Sequence, residues 1–359
     1  MKPKSLLVLN EGYSDNLGDQ AINESIHYLL KKNGITDIKF QDYTKNLDGI
    51  IDISISPDVT SKDSSILVKL VRLLPVKLRW LIRNLGRVIK VSREKHDKVI
   101  IGGGQLVLSN DTFSIAMFSW VLFLRLFGNK RIYICGVGVG TEFSYLDKLL
   151  FKYSLKNITK IYLRDKKSQL TLMNIFRVES ELIYDVAFIH NKLDCKTIND
   201  VESKSLLGVI TYDVYRKYVS GTPLNKDAFF DTWITLLSES NVLLKNVKLF
   251  YTTKEDRVAS IEFKQFVEKK YHIELPLIET SRLELLISEI KSSNIVISAR
   301  MHALILGFTY DRKVVVYPIS SKLVQFKKMI ESDIALSDMQ AVIESQFLNI
   351  LNSNSNDEK

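Results

Sequence analysis

The chain has 359 residues, more than one ordinary core gathers and enough for two domains of about 180 residues each. With 46% hydrophobic and 25% charged residues it has the material for packed cores, which excludes a disordered chain. Lys and Arg number 50 against 41 Asp and Glu, and this surplus of +9 favours anionic partners: phosphorylated metabolites, nucleic acid or an anionic membrane face. Cys135 and Cys195 form no CxxC or metal-ligand spacing, so neither a disulfide framework nor a zinc site is expected, and the compartment reads as reducing. The apolar run at 6–9 is too short for a signal-peptide core and ends at Asn10 and Glu11; the expected location is cytoplasmic.

Short β-branched or apolar runs alternate with helical patterns, the signature of βαβ units and parallel sheets. Runs at 5–9, 50–55, 98–101, 130–135 and 160–163 read as one series of strands, and those at 206–210, 247–251, 294–297 and 313–317 as a second. The expected organisation is an N-terminal α/β domain over 1–190, an interdomain crossing over 191–204, a C-terminal α/β domain over 205–351 and a loose tail over 352–359.

The first loop, from Asn10, opens a helix with apolar Ile22, Ile26, Leu29 and Leu30, and Asp19 reads as its N-cap. Asn16, Gly18 and Asp19 make a polar rim at the sheet's carboxyl edge where substrate hydroxyls can bind; a capped glycine turn accounts for the same residues. Over 69–95 nine basic residues and one acidic residue interleave with Leu73, Leu74, Leu78, Trp80 and Ile82, the pattern of a basic amphipathic segment at a membrane surface. Pro75 and Gly86 are expected to divide it, and a cationic helix face packed by its other side is the alternative. Residues 112–128, with Ser114, Ser119 and Arg125 inside, are marginal for a membrane span and read as a buried helix.

Glycine loops follow two strands: Gly102-Gly103-Gly104-Gln105 and Gly136-Val137-Gly138-Val139-Gly140. Bare glycine lets a backbone approach a ligand closely. The third glycine of a dinucleotide fingerprint is replaced by Val107 or Thr141, and no Gly-Lys-Ser/Thr ending marks a P-loop, so those nucleotide cofactors lose support. The strand at 160–163 delivers Arg164 to its carboxyl end, with Asp165 opening a helix; a structural pair with Asp165 or Asp185 is the default for that arginine. Arg300 and His302 leave the strand at 294–297 two residues apart, so in an extended exit they project to one side, with helix N–H groups beginning near Ala303. Together these make a candidate pocket for a compact anion. The plainer reading pairs Arg300 with a surface carboxylate and leaves His302 as a cap. Met339, Val342, Ile343, Phe347, Ile350 and Leu351 follow helical spacing.

In order along the chain, Asn-Leu-Gly-Asp at 16–19, Gly-Gly-Gly-Gln-Leu at 102–106, Gly-Val-Gly-Val-Gly at 136–140, Arg-Asp-x-x-Ser at 164–168, Asp185-Val-Ala-Phe188 and Ser298-x-Arg300-x-His302 resemble the polysaccharide pyruvyl transferase family. Tyr317-Pro-Ile-Ser-Ser-Lys322 is similar to the family's tyrosine-then-lysine element, although its middle residues differ from the usual aspartate-containing form. The resemblance implies two Rossmann-like α/β domains with parallel sheets, GT-B-like, with a cleft between them. It also implies a ketal-forming enzyme that moves a pyruvyl group from phosphoenolpyruvate to sugar hydroxyls during surface polysaccharide biosynthesis. A GT-B glycosyltransferase using a nucleotide sugar is the alternative.

On this reading Arg164, Arg300, His302 and Lys322 bind the donor, a compact anion of roughly −2.5 to −3. Asn16, Gly18, Asp19, Gly103, Gly104 and Gln105 bind the acceptor, and His302, Arg164 and Asp19 are the catalytic candidates. Phosphoenolpyruvate is a co-substrate; no further cofactor and no metal is expected. The acceptor is expected to be a lipid-linked glycan, met by a cytoplasmic protein held peripherally on the anionic inner face of the cell membrane. No nucleic-acid partner is expected, since no recognition helix, RNP or zinc module is visible.

Overall fold

The computed structural model describes residues 3–45, 74–193, 204–219 and 221–353. The strand expected at 50–55, the start of the basic segment at 69–73, most of the expected crossing and residues 354–359 lie outside these. The described residues form two compact units, one within Met1–Glu11, Leu29–Asp185 and Glu344–Lys359, the other within Gly12–Tyr28 and Val186–Ile343.

The first unit holds a parallel six-stranded sheet of β1 (Ser5–Asn10), β2 (Asp37–Asp42), β3 (Lys98–Gly102), β4 (Ile132–Val137), β5 (Lys160–Leu163) and β6 (Glu181–Leu182). Its order is β2-β1-β3-β4-β5-β6. β3 and β4 are buried along their whole length, as strands covered on both faces must be, which is why they read as continuous apolar runs. β2 and β6 sit at the edges and are half-exposed, so neither carries such a run, and the sequence pattern passed over both. The connecting helices are α1 (Leu17–Lys32), α2 (Val76–Arg93), α3 (Phe113–Leu126), α4 (Tyr145–Lys156) and α5 (Lys166–Phe176). α3 is the helix expected at 112–128; Trp120, Val121 and Leu124 lie in the core. Gly86 does not divide the basic segment: α2 runs through it, and a side chain there would meet open space.

The second sheet is parallel, of β7 (Ser205–Gly208), β8 (Val247–Leu249), β9 (Ile295–Ser298) and β10 (Lys313–Val316) in the order β10-β9-β7-β8. Its helices are α6 (Tyr212–Tyr218), α7 (Lys226–Glu239), α8 (Lys254–Tyr271), α9 (Leu283–Ser292), α10 (Met301–Thr309), α11 (Ser321–Ile330) and α12 (Leu336–Asn352).

The units depart from a single cut of the chain near residue 190, because the division also falls within α1 and α12. Leu17 and Ala21 fill the second core with Leu206, Phe250 and Val296, and the Leu17 N–H donates to the Thr252 carbonyl at 3.2 Å. In the first unit the buried Lys98 ammonium donates to the carbonyls of Ile350, Leu351 and Ser353 at 2.5, 3.0 and 2.9 Å. A cation there satisfies carbonyls that a helix end leaves open. Asn352 therefore belongs to α12 rather than to a loose tail.

Candidate functional site

In the first unit the two glycine loops lie side by side. The Gly103 N–H donates to Cys135 O at 2.9 Å, Gly138 N–H to Gly104 O at 2.8 Å and Gly140 N–H to Val107 O at 2.8 Å. Gly103 and Gly104 have φ of +77° and +72°, a region that disfavours side chains. Gly138 is needed for a different reason: a Cβ there would lie 2.9 Å from Nε and Nη2 of Arg164.

Arg164 is buried, and its Nη1 donates to Asp185 Oδ2 at 3.0 Å. The default pair read from the sequence therefore forms, and the guanidinium still keeps an Nε without a hydrogen-bond partner. Asp165 caps α5: its Oδ1 accepts the Ser168 N–H at 2.7 Å and its Oδ2 accepts the Ser168 hydroxyl at 2.9 Å. The same hydroxyl accepts the Val139 N–H at 2.9 Å, which explains the Arg-Asp-x-x-Ser spacing: the motif pins the second glycine loop beside Arg164. Burial pushes the Cys135 thiol well above its usual range, so it is inert packing.

Sequence reasoning missed Asp147 in this unit. Its carboxylate accepts hydrogen bonds from Ser109, Ser114 and Ser144, and Lys77 Nζ lies 3.0 Å away. Burial alone would push this carboxyl up; the hydroxyls and the lysine outweigh it and hold the pKa at about 2. No spacing marks these residues, because they meet only where three helices begin.

In the second unit the segments at 16–19 and 298–302, nearly the whole chain apart, come together. Asn16, not Asp19, caps α1: its Oδ1 accepts the Gly18 N–H at 3.0 Å. Asp19 is the third helical residue, where a carboxylate faces the positive helix end, and its Oδ2 accepts the Ser14 hydroxyl at 2.9 Å. Gly18 lies against the His302 ring, and a Cβ there would fall 2.3 Å from Nδ1.

The strand exit stays extended only as far as Arg300. α10 begins at Met301, before the expected Ala303, so His302 stands in its first turn and Arg300 at its N-cap. Arg300 turns to Asp256, donating from Nε to Oδ2 at 2.8 Å and from Nη2 to Oδ1 at 2.6 Å. Asp256 is 1% exposed, so the partner is a buried carboxylate rather than the surface one of the plainer reading. Lys322 is exposed in the first turn of α11, after Ser320, whose buried hydroxyl has no hydrogen-bond partner. The sequence also passed over His190, whose Nδ1 and Nε2 lie 2.9 Å from Tyr310 OH and 3.1 Å from Glu24 Oε2.

Two parallel-sheet α/β units with ligand-type loops after their strands define a GT-B-like protein. UDP-GlcNAc 2-epimerase of Methanocaldococcus jannaschii is similar in fold at 12% identity, covering 99% of this chain and 94% of that one, with a TM-score of 0.55. A putative UDP-N-acetylglucosamine 2-epimerase of Listeria monocytogenes (10%, 99% and 90%, TM-score 0.52) and MnaA of S. aureus solved with UDP (13%, 97% and 95%, TM-score 0.51) are alike in the same way. No curated protein matches the chain in sequence. The model of the polysaccharide pyruvyl transferase family matches residues 16–321, and the chain belongs to that family of transferases.

Proposed function

We propose that the protein transfers a pyruvyl group from phosphoenolpyruvate to two hydroxyls of a sugar, leaving a pyruvate ketal and inorganic phosphate, in surface polysaccharide biosynthesis. The observation that carries this reading is the His302 ring seated on Gly18, which joins two family motifs at the carboxyl ends of β8 and β9. Open α/β sheets bind ligands at that edge.

A proton adds to C3 of the donor and C2 becomes oxocarbenium-like. One sugar hydroxyl attacks C2, losing its proton; the C2–O bond to phosphate breaks, and the second hydroxyl closes the ring as its proton passes to phosphate. His302, in the first turn of α10, has the chemistry to pair with phosphate or move a proton near neutrality. Lys322 and the N–H groups opening α11 add positive potential for the same anion. Asp19 is the candidate to accept the acceptor's proton. Both ends of the Arg300 fork are occupied by Asp256, so its part is to hold the loop before α10. Arg164 is a candidate catalytic cation: its Nε has no hydrogen-bond partner and lies 3.9 Å from Asp165 Oδ2.

The test is incubation with phosphoenolpyruvate and a glycan panel, following phosphate release and product mass, with UDP-GlcNAc in parallel. A ketal-bearing glycan is expected with phosphoenolpyruvate alone, and His302→Gln should stay folded while losing about 1,000-fold in rate. Turnover of UDP-GlcNAc with no phosphate release from phosphoenolpyruvate would replace this reading with glycosyl transfer.

A further inference from the structure

Within the first unit, α3 packs between α2 and α4, and successive right-handed crossovers set these helices on one face of the sheet. Asp147 ties their starts together. Lys77 of α2 reaches it, Asn110 Oδ1 accepts the Phe113 N–H opening α3 at 2.7 Å, and Ser144 caps α4. The three first turns thus share the carboxyl edge of the sheet.

At that end the helices turn apolar side chains to solvent. Leu78 and Ile82 of α2 are 42% and 52% exposed, and Tyr145 and Leu149 of α4 are 80% and 48% exposed. Half-buried Phe118 of α3 fills the strip between, its ring 5.1 Å from that of Tyr153. Cations flank the strip. Lys148, Lys152 and Lys156 are exposed along α4 one turn apart, and Arg79 and Arg83 stand half-buried on α2. α2 carries no acidic residue and α4 only the buried Asp147; among the described residues of the neighbouring loops Asp111 and Glu142 are exposed carboxylates.

We infer that this face docks the protein on an anionic lipid bilayer. Leu and Ile side chains enter the headgroup boundary, the tyrosine ring sits at that level, and lysine stems lie on the apolar strip with their ammonium groups at lipid phosphates. The alternation of apolar and cationic groups selects the partner: protein interfaces are depleted of lysine at their centres, and a nucleic-acid phosphate track has no use for exposed Leu78, Ile82 and Leu149. No described helix is long and apolar enough to cross a membrane. The surface basic segment of the sequence supplies only one flank; α3 and α4 supply the rest. The inference stands apart from the donor chemistry, and failure of either leaves the other untouched.

The experiment is sedimentation of the full chain with vesicles of phosphatidylcholine and phosphatidylglycerol in equal parts, and with phosphatidylcholine alone. Binding to the first, weakened by salt, and little to the second is expected. Ile82→Asp with Leu149→Asp changes exposed positions, so it should melt like wild type and bind about tenfold more weakly; Lys148→Glu with Lys152→Glu should lose a similar factor. As a readout on the unaltered protein, anionic vesicles should slow trypsin cleavage after Lys148 and Lys152. Absence of binding, unaltered binding by both folded variants with no protection from trypsin, or tighter salt-sensitive binding to random-sequence DNA than to vesicles would overturn the inference.

Discussion

Arg164 and Arg300 come from the same local design, a parallel strand ending in an arginine before a helix, yet they have different neighbours. Arg164 is the more deeply buried, gives Nη1 to Asp185 and keeps beside Gly138 a buried Nε that has no hydrogen-bond partner and lies 3.9 Å from Asp165 Oδ2. Arg300 gives both ends of its fork to a carboxylate that is itself buried. A bidentate pair of this kind uses the geometry that makes arginine a good anion ligand, leaving little of it for a substrate. The comparison teaches that delivering a cation to a sheet edge does not by itself make a binding residue; what decides is whether the fold has already filled its donors.

Between the two arginines the larger effect should come from Arg300→Ala. It strips the buried Asp256 of its counter-charge, so a loss of about 3 kcal/mol in unfolding free energy is expected in denaturant titration. A variant as stable as wild type would place Arg300 back among the substrate ligands. Arg164→Lys keeps a charge beside Asp185 but loses the planar fork; phosphate release should fall about 100-fold, about 2.7 kcal/mol, with the unfolding midpoint little changed. Unchanged turnover would remove Arg164 from the chemistry.

The smallest effect concerns Asp147, a carboxylate held by neutral hydroxyls and one lysine where Asp256 is held by a guanidinium. Its folded-state pKa of about 2 lies below the unfolded value near 3.8, so its stabilisation is fully present above about pH 4 and is lost as pH falls toward 2. Asp147→Asn should therefore flatten the acid limb of the stability profile by about 2 kcal/mol. An acid limb identical to wild type would show that the hydroxyl cluster does not depend on the charge.

Much of the fold was legible because buried parallel strands must be apolar throughout: β3, β4, β7 and β9 announced themselves by composition. The half-exposed edge strands β2 and β6 did not. The geometry of the candidate site was legible in part. Gly18, Gly138, Arg164 and His302 stood out from residue type and place, but neither the seat of His302 on Gly18 nor that of Arg164 against Gly138 could be read from spacing. Asp147, Asp256 and His190 looked like ordinary helix or loop residues.

By itself the sequence determined the alternation of strand and helix, two sheets, the basic surplus and the glycine turns, since these depend on hydrophobic period and backbone freedom, which are local. The tertiary structure decided which unit the segment at 12–28 joins, which arginine is saturated and which cations stay exposed. Those outcomes turn on which carboxylate, ring or carbonyl arrives from a distant stretch of chain, and neighbours in sequence carry no record of that arrival.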